Sequence, residues 1–307
     1  MEIPKQRMRN PAHDKAELRL LVLDIDGTIL DESNRIRESV IQAVHSAQSH
    51  GVAVAIATGR RYQSSLLAYD SIGSRLPLIC YEGALIREPK TGFVHRHWPV
   101  DTGVLAQVLD HTEPLSLSGR VSVHFHIEDD IYVSNLNRPS VNYFARSTVE
   151  PIVVSDLRPL LNRSTTKVMV LSDDIHVIAR LSSELKKSHT RTQVKQSESM
   201  TLLEAFHPAV NKRLAVSYLA EEMMGLRREN VMAIGDDFTD IGMLRYAGIG
   251  IAMGNAPLAV KASADYITTT IEEDGVARSI ERWILRAQVH RGWSHIAEGW
   301  RQHSSTI

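Results

Sequence analysis

Two aspartates, one residue apart, close an apolar run early in the chain: Leu20-Leu21-Val22-Leu23-Asp24-Ile25-Asp26-Gly27-Thr28. The run reads as a buried strand, and residues two apart along a strand share a face. Both carboxylates can then reach one site at the carboxyl end of that strand, where open α/β sheets bind ligands. Two acids this close cannot both be bare anions without a large pKa penalty, unless a cation lies between them. The spacing points to a divalent metal and to different tasks for Asp24 and Asp26. Alone, it also fits a strand end running into an acidic turn shaped by Gly27 and Thr28.

Three more polar groups fall at equivalent places. Thr58 and Gly59 follow the apolar run Val52–Ala57, and Asp236 and Asp240 lie at and just past the end of Val231–Gly235. Lys212 opens a helical pattern after Asn211. Parallel strands would bring these ends to one rim. The carboxylates would form a hard oxygen cage suited to Mg²⁺. The Thr58 hydroxyl, the Gly59 amide and the Lys212 ammonium would be donors suited to a phosphoryl group. Together they are the equipment of phosphoryl transfer, where catalysis is positioning and charge neutralisation. Singly, each has a plain reading: Lys212 as a solvated first-turn lysine, Asp236 as a helix N-cap, Thr58-Gly59 as a turn.

The elements that must position these groups are legible around them. An amphipathic helix is predicted from about Arg37 to His50, with Val40, Ile41, Val44 and Ala47 as its stripe and Gly51 at its C-cap. A strand over 52–57, a helix over 62–71 and a strand over 78–81 follow. Strand-helix alternation is the grammar of a parallel sheet with helices on its faces. From about Arg87 to Pro208 the runs turn amphipathic. Val121, Val123, Phe125 and Ile127 share one strand face, and Ser122, His124 and His126 the other. Strands over 131–133, 167–171 and 201–206 and a helix over 175–187 complete a mixed sheet with one polar face. The first grammar resumes with a helix from Lys212 to about Met224. Strands over 231–235, 249–253 and 266–269 follow, with helices over 256–264 and 275–285. The expected fold is α/β: a Rossmann-like core with a parallel sheet (17–86 and 209–285), interrupted by an α+β cap (87–208). An N-terminal extension (1–16) and an amphipathic tail (286–307) flank it. Val289, Trp293, Ile296 and Trp300 give the tail one apolar face, for its own core or for a subunit contact. A monomer and a small homo-oligomer both stay open.

Composition bounds the partners. The chain has 307 residues, 43% hydrophobic and 23% charged, with a formal net charge of −1. No global field would draw it to nucleic acid or to an anionic membrane. The lone cysteine, Cys80, excludes an internal disulfide and sits in an apolar run, as a buried small hydrophobe does. The polar start through Leu18 carries no signal-peptide pattern, and no run is long enough to span a bilayer. A cytoplasmic location is the expectation. His124 and His126 lack the cysteine or carboxylate spacing of a zinc site and read as satisfied or solvated.

Taken in order, these motifs resemble those of haloacid-dehalogenase-superfamily phosphatases of the Cof type. That family has Asp-x-Asp-Gly-Thr, Thr-Gly-Arg, a cap insertion, a lysine, then Gly-Asp-x-x-x-Asp. Here they read Asp24-Ile25-Asp26-Gly27-Thr28, Thr58-Gly59-Arg60, Lys212 and Gly235-Asp236-Asp237-Phe238-Thr239-Asp240. Ala252-Met253-Gly254-Asn255-Ala256 and Glu273-Asp274-Gly275-Val276 resemble its late segments, and the likeness spans Leu18 to Leu285.

The resemblance implies Mg²⁺-dependent hydrolysis of small phosphorylated metabolites, such as sugar phosphates or nucleotide-like cofactors. Asp24 would be the nucleophile that forms an aspartyl-phosphate, and Asp26 the general acid and then base. Mg²⁺ would be held by Asp24, the Asp26 carbonyl and Asp236, with Asp240 direct or one shell out. Thr58, Gly59, Lys212 and Thr239 would hold phosphate.

Three positions depart from the pattern. Thr239 and Glu82 stand where asparagine is common, and Ile271 replaces a polar residue. A carboxylate at 82 accepts without donating and repels phosphate unless paired. A phosphotransferase or mutase acting on sugar phosphates, and a ligand-binding relative of negligible turnover, stay open at this level.

Overall fold

The computed structural model describes residues 17–286, except 32, 148, 188–190, 198 and 199. β1 (Leu20–Leu23) is apolar at every position and fully buried, as a central parallel strand must be. Next come α1 (Glu38–Ser49), β2 (Ala53–Ile56) and α2 (Tyr62–Ser71), each within a residue or two of its expected bounds. β3 (Leu78–Cys80) departs from expectation. It meets the end of β2 only at the Ala57–Ile79 bridge and instead opens an antiparallel sheet with β4 (Leu85–Arg87) and β5 (Val94–His97). The turn between β3 and β4 places Tyr81 and Glu82 in left-handed backbone, at φ 52° and 59°. Cys80 is buried as expected, and burial pushes its thiol pKa far up.

A six-stranded sheet occupies the middle of the chain. Its elements are α3 (Thr102–Leu117), β6 (Val121–Ile127), β7 (Asp130–Val133), α4 (Arg138–Ser147), β8 (Ile152–Val153), β9 (Thr165–Ser172), α5 (Ile175–Lys187), β10 (Arg191–Ser197) and β11 (Met200–Phe206). The strand order is β10-β11-β9-β6-β7-β8, antiparallel except for β7–β8. Leu105 and Val108 of α3 and Val177, Ile178 and Leu181 of α5 cover the face carrying Val121, Val123, Phe125 and Ile127. The opposite face is polar, as the alternation predicts, yet it is not solvated: Ser122, His124 and His126 are all 0% exposed. Phe144 of α4 stacks on His124, and Tyr81 meets His126 edge-on. The two histidines are thus not solvated, and only His124 is partly satisfied: its Nε2 meets Ser122 and Ser140, while both ring nitrogens of His126 lack a partner among the described residues.

The parallel sheet resumes with α6 (Lys212–Ser217), β12 (Val231–Gly235), α7 (Ile241–Tyr246), β13 (Ile249–Ala252), α8 (Leu258–Lys261), β14 (Tyr266–Ile267) and α9 (Gly275–Ile280). The helix expected through Met224 is α6 continued as a π-helical turn, Tyr218–Met223. Strand order is β14-β13-β12-β1-β2, all parallel. Leu21 and Leu23 pack with Val40, Val44 and Ile280 on one face of the sheet. Leu20 and Val22 pack with Ala215, Val216 and Met243 on the other. Each such buried aliphatic side chain contributes about 1.5–3 kcal/mol, so β1 is anchored from both sides. Among the described residues no helix is long and apolar enough to cross a membrane. The apolar stripe expected at 289–300 lies outside the described residues.

Candidate active site

Strand register delivers the acids to one rim. Leu23 pairs with Ile56 on one side and Ile234 on the other. The residues just beyond, Asp24, Thr58 and Asp236, therefore leave the sheet at the same edge. Asp24 and Asp236 line an open cavity of about 500 Å³ with Asp26, Gly59, Glu82, Lys212 and Thr239, while Thr58 stays behind the rim, fully buried. Its hydroxyl accepts the Arg60 amide at 3.1 Å.

Lys212 is not a solvated first-turn lysine. It is 2% exposed, and its Nζ donates to Asp24 Oδ1 and Asp240 Oδ1, each at 2.6 Å. Asn211 caps its helix by accepting the Leu214 amide, which fixes where Lys212 enters the site. Burial opposes the ammonium, but Asp24, Asp240 and then Glu82 outweigh it and hold Lys212 charged. Burial also drives the Asp24 carboxyl well above the usual range; Lys212 pulls it down, while Asp240 and Asp236 push it up.

Asp240 is spent on structure. Its Oδ1 takes Lys212, and its Oδ2 takes the amides of Asp236 and Asp237 at 2.9 Å. Asp236 is no N-cap: its Oδ1 accepts the Thr28 hydroxyl at 2.8 Å, and its other oxygen lies against Gly27. A Cβ on Gly27 would sit 2.2 Å from that oxygen, and Gly27 has φ +73°, so only glycine serves there. Burial raises the Asp236 carboxyl to about 7, Thr28 opposing and Asp240 assisting. One carboxylate oxygen from each of Asp24, Asp236 and Asp240 falls within 4.8 Å of the others. Such an all-oxygen set, with two members held up in pKa by burial and mutual repulsion, fits a hard divalent cation.

Asp26 stands apart. It is 60% exposed, and Arg60 grips it through two hydrogen bonds, Nε to Oδ2 at 2.8 Å and Nη2 to Oδ1 at 2.5 Å. Thr239 is half-buried at the cavity wall. Ile271 packs into the core, and its amide is taken by the Asn255 side chain, which also holds the Gly27 carbonyl.

Sequence reasoning passed over one contact near the site. Asp129, in the β6–β7 turn, accepts the Tyr62 and Gln63 amides at 2.9 and 2.7 Å and the Tyr81 hydroxyl at 2.7 Å. The Arg61 guanidinium donates to its carbonyl. The six-stranded unit thereby caps α2, directly after Thr58-Gly59-Arg60. Only the turn-like run Glu128-Asp129-Asp130 hinted at it.

Residues 21–280 match the family described as haloacid dehalogenase-like hydrolase. The chain belongs to this family. It is 30% identical over 269 residues to the 5-amino-6-(5-phospho-D-ribitylamino)uracil phosphatase YitU of Bacillus subtilis, covering 86% of this chain and 97% of that one. It is 26% identical over 277 residues to the pyridoxal phosphate phosphatase YbhA of Escherichia coli, covering 85% and 97%. A haloacid dehalogenase-like hydrolase from Bacteroides thetaiotaomicron superposes with a TM-score of 0.74 at 26% identity, covering 87% of this chain and 99% of that one. The phosphatase names among these hydrolases agree with the activity expected from the motifs.

Proposed function

We propose that the protein is a Mg²⁺-dependent phosphomonoesterase that hydrolyses small phosphorylated metabolites through an aspartyl-phosphate on Asp24. The observation that carries this reading is the Asp24 carboxylate held by a buried ammonium, beside Asp236, at the carboxyl rim of a parallel sheet. The related phosphatases act on a phosphorylated ribitylaminouracil and on pyridoxal phosphate. A small phosphate ester is the corresponding substrate class here.

Asp24, the Asp26 carbonyl and Asp236 would hold the cation, with Asp240 acting one shell out because both its oxygens are engaged. When bound, Mg²⁺ would neutralise charge between nucleophile and phosphoryl group. Lys212 fixes the Asp24 carboxylate and keeps a third proton for a phosphoryl oxygen. The free Asp24 oxygen attacks phosphorus, and the ester oxygen departs with a proton from Asp26. Asp26 then takes a proton from the water that cleaves the acyl phosphate. Asp26 must first turn away from Arg60, so that ion pair is a resting arrangement. Residues 87–208 are read as a cap over a core of 17–86 and 209–285, excluding water from the site.

The test is phosphate release from a panel of phosphorylated metabolites, with Mg²⁺ and with EDTA, by wild type and Asp24→Asn. Release that needs Mg²⁺ and disappears in the variant is expected. A wild type silent on a broad panel, or an Asp24→Asn variant as active as wild type, would overturn the reading.

A further inference from the structure

Two of the departures, Glu82 and Thr239, line the cavity with the nucleophile, and of the two only Glu82 is buried and charged. It is 3% exposed, and its Oε2 is buried without a hydrogen-bond partner. Its backbone is bound to the phosphate-loop segment: the Glu82 amide donates to the Thr58 carbonyl at 3.0 Å, and the Tyr81 amide to the Arg60 carbonyl at 2.9 Å. Its other oxygen lies so close to Gly59 that a Cβ there would approach to 2.4 Å. Two successive left-handed residues, Tyr81 and Glu82, hold this arrangement. Left-handed backbone is costly for a residue other than glycine. A buried acceptor without a donor adds a desolvation penalty. Strain and an orphaned acceptor kept together in one cavity mark a site built for a ligand.

The charge balance narrows that ligand. Asp24, Glu82, Asp236 and Asp240 share one ammonium, Lys212, which already serves Asp24 and Asp240, and the other cation lining the cavity, Arg60, is paired with Asp26. A phosphoryl group entering beside an unpaired Glu82 would be repelled. A substrate that brings its own donor would satisfy the acceptor and remove that repulsion together.

We propose that Glu82 is a specificity-determining residue: its carboxylate accepts a hydrogen bond from a hydroxyl or amine on the leaving group, close to the scissile ester. The enzyme then favours phosphate esters of polyols or amino alcohols over esters without a donor. This rests on the phosphatase reading above. Sites that hydrogen-bond a substrate donor discriminate strongly against analogues lacking it, because the buried partner is then left unpaired.

The experiment measures kcat/KM on glycerol phosphate, phosphoethanolamine and phenyl phosphate, for wild type and Glu82→Gln. The glutamine keeps the volume and removes the charge, and a thermal melt checks that the variant is folded. The expected result is that the preference for at least one donor-bearing ester over phenyl phosphate falls about 10-fold or more in Glu82→Gln, a loss of one charge-assisted hydrogen bond. Loss on glycerol phosphate identifies a hydroxyl donor; loss on phosphoethanolamine alone identifies an amine. Equal changes on all three esters, in either direction, would overturn the proposal while leaving the phosphatase reading intact. A wild type that cleaves none of the three, nor any ester of the broader panel, would overturn both.

Discussion

At the scale of single residues, the site is a problem of excess negative charge. Asp24 and Asp236 are both held up in pKa by burial, and Lys212 answers only one of them directly. Asp236, raised to about 7, sets a pH dependence whose sign can be worked out. Its folded pKa exceeds the unfolded one, so its contribution to stability is complete below about pH 4 and is lost as pH rises through 7. A cation competes with that proton. Stabilisation by Mg²⁺ should therefore be small at pH 5.5 and grow toward pH 8, read as the shift in melting temperature on adding MgCl₂. A shift independent of pH, or one that shrinks, would show that Asp236 does not hold the metal. Much at this scale was legible: the spacing pointed to one rim, where Asp24, Lys212 and Asp236 do meet, with Asp26 turned to Arg60 and Thr58 buried just behind. The division of labour was not, because it depends on which lone pairs are already used. Asp240 looks like a ligand in sequence, and only its hydrogen bonds to Lys212 and to the Asp236 and Asp237 amides show it occupied.

At the scale of elements, α2 is the informative case. Its bounds, 62–71, were readable, but its N-cap was not, since the capping carboxylate comes from Asp129, 67 residues away in sequence. Propensity and capping rules see neighbours along the chain, and this cap is tertiary. Asp129→Ala should leave the Tyr62 and Gln63 amides unsatisfied and cost about 0.5–2 kcal/mol, the range for losing an N-cap. It should also loosen the six-stranded unit beside Thr58-Gly59-Arg60. Urea unfolding reads the first effect, and faster proteolysis at the 87–100 and 206–211 connections reads the second. Unchanged stability together with unchanged cleavage would remove Asp129 as a tie between the two sheets. β4, β5, α3, α4, β8 and β10 were missed at this scale for related reasons. β8 has two residues, β4 and β5 form a short flap, and α3 carries Pro114, which in sequence argues against a helix.

At the scale of the whole molecule, the five-stranded parallel sheet supplies the rim, and the six-stranded sheet reaches the segment beside it through Asp129 at the start of α2. The alternation of core and inserted grammar was legible because the two sheets bury differently. Strands such as β1, buried on both faces, read as unbroken apolar runs, while β6 alternates. The alternation did not reveal that the polar face is buried. Lys167 and Glu204, paired at 2.6 Å there, each look solvent-facing in sequence, and only tertiary packing makes them an interior ion pair. The central claim joins both scales: a rigid rim presents Asp24 as a nucleophile that carries the phosphoryl group. Acid quenching within the first turnover tests it most directly, followed by mapping of phosphorylated peptides. With Mg²⁺ and a cleaved substrate, the peptide containing Asp24 should carry a hydroxylamine-labile phosphoryl group, absent from Asp24→Asn and from EDTA-treated enzyme. Phosphate release without any such adduct on Asp24, or with the adduct on another residue, would contradict the mechanism.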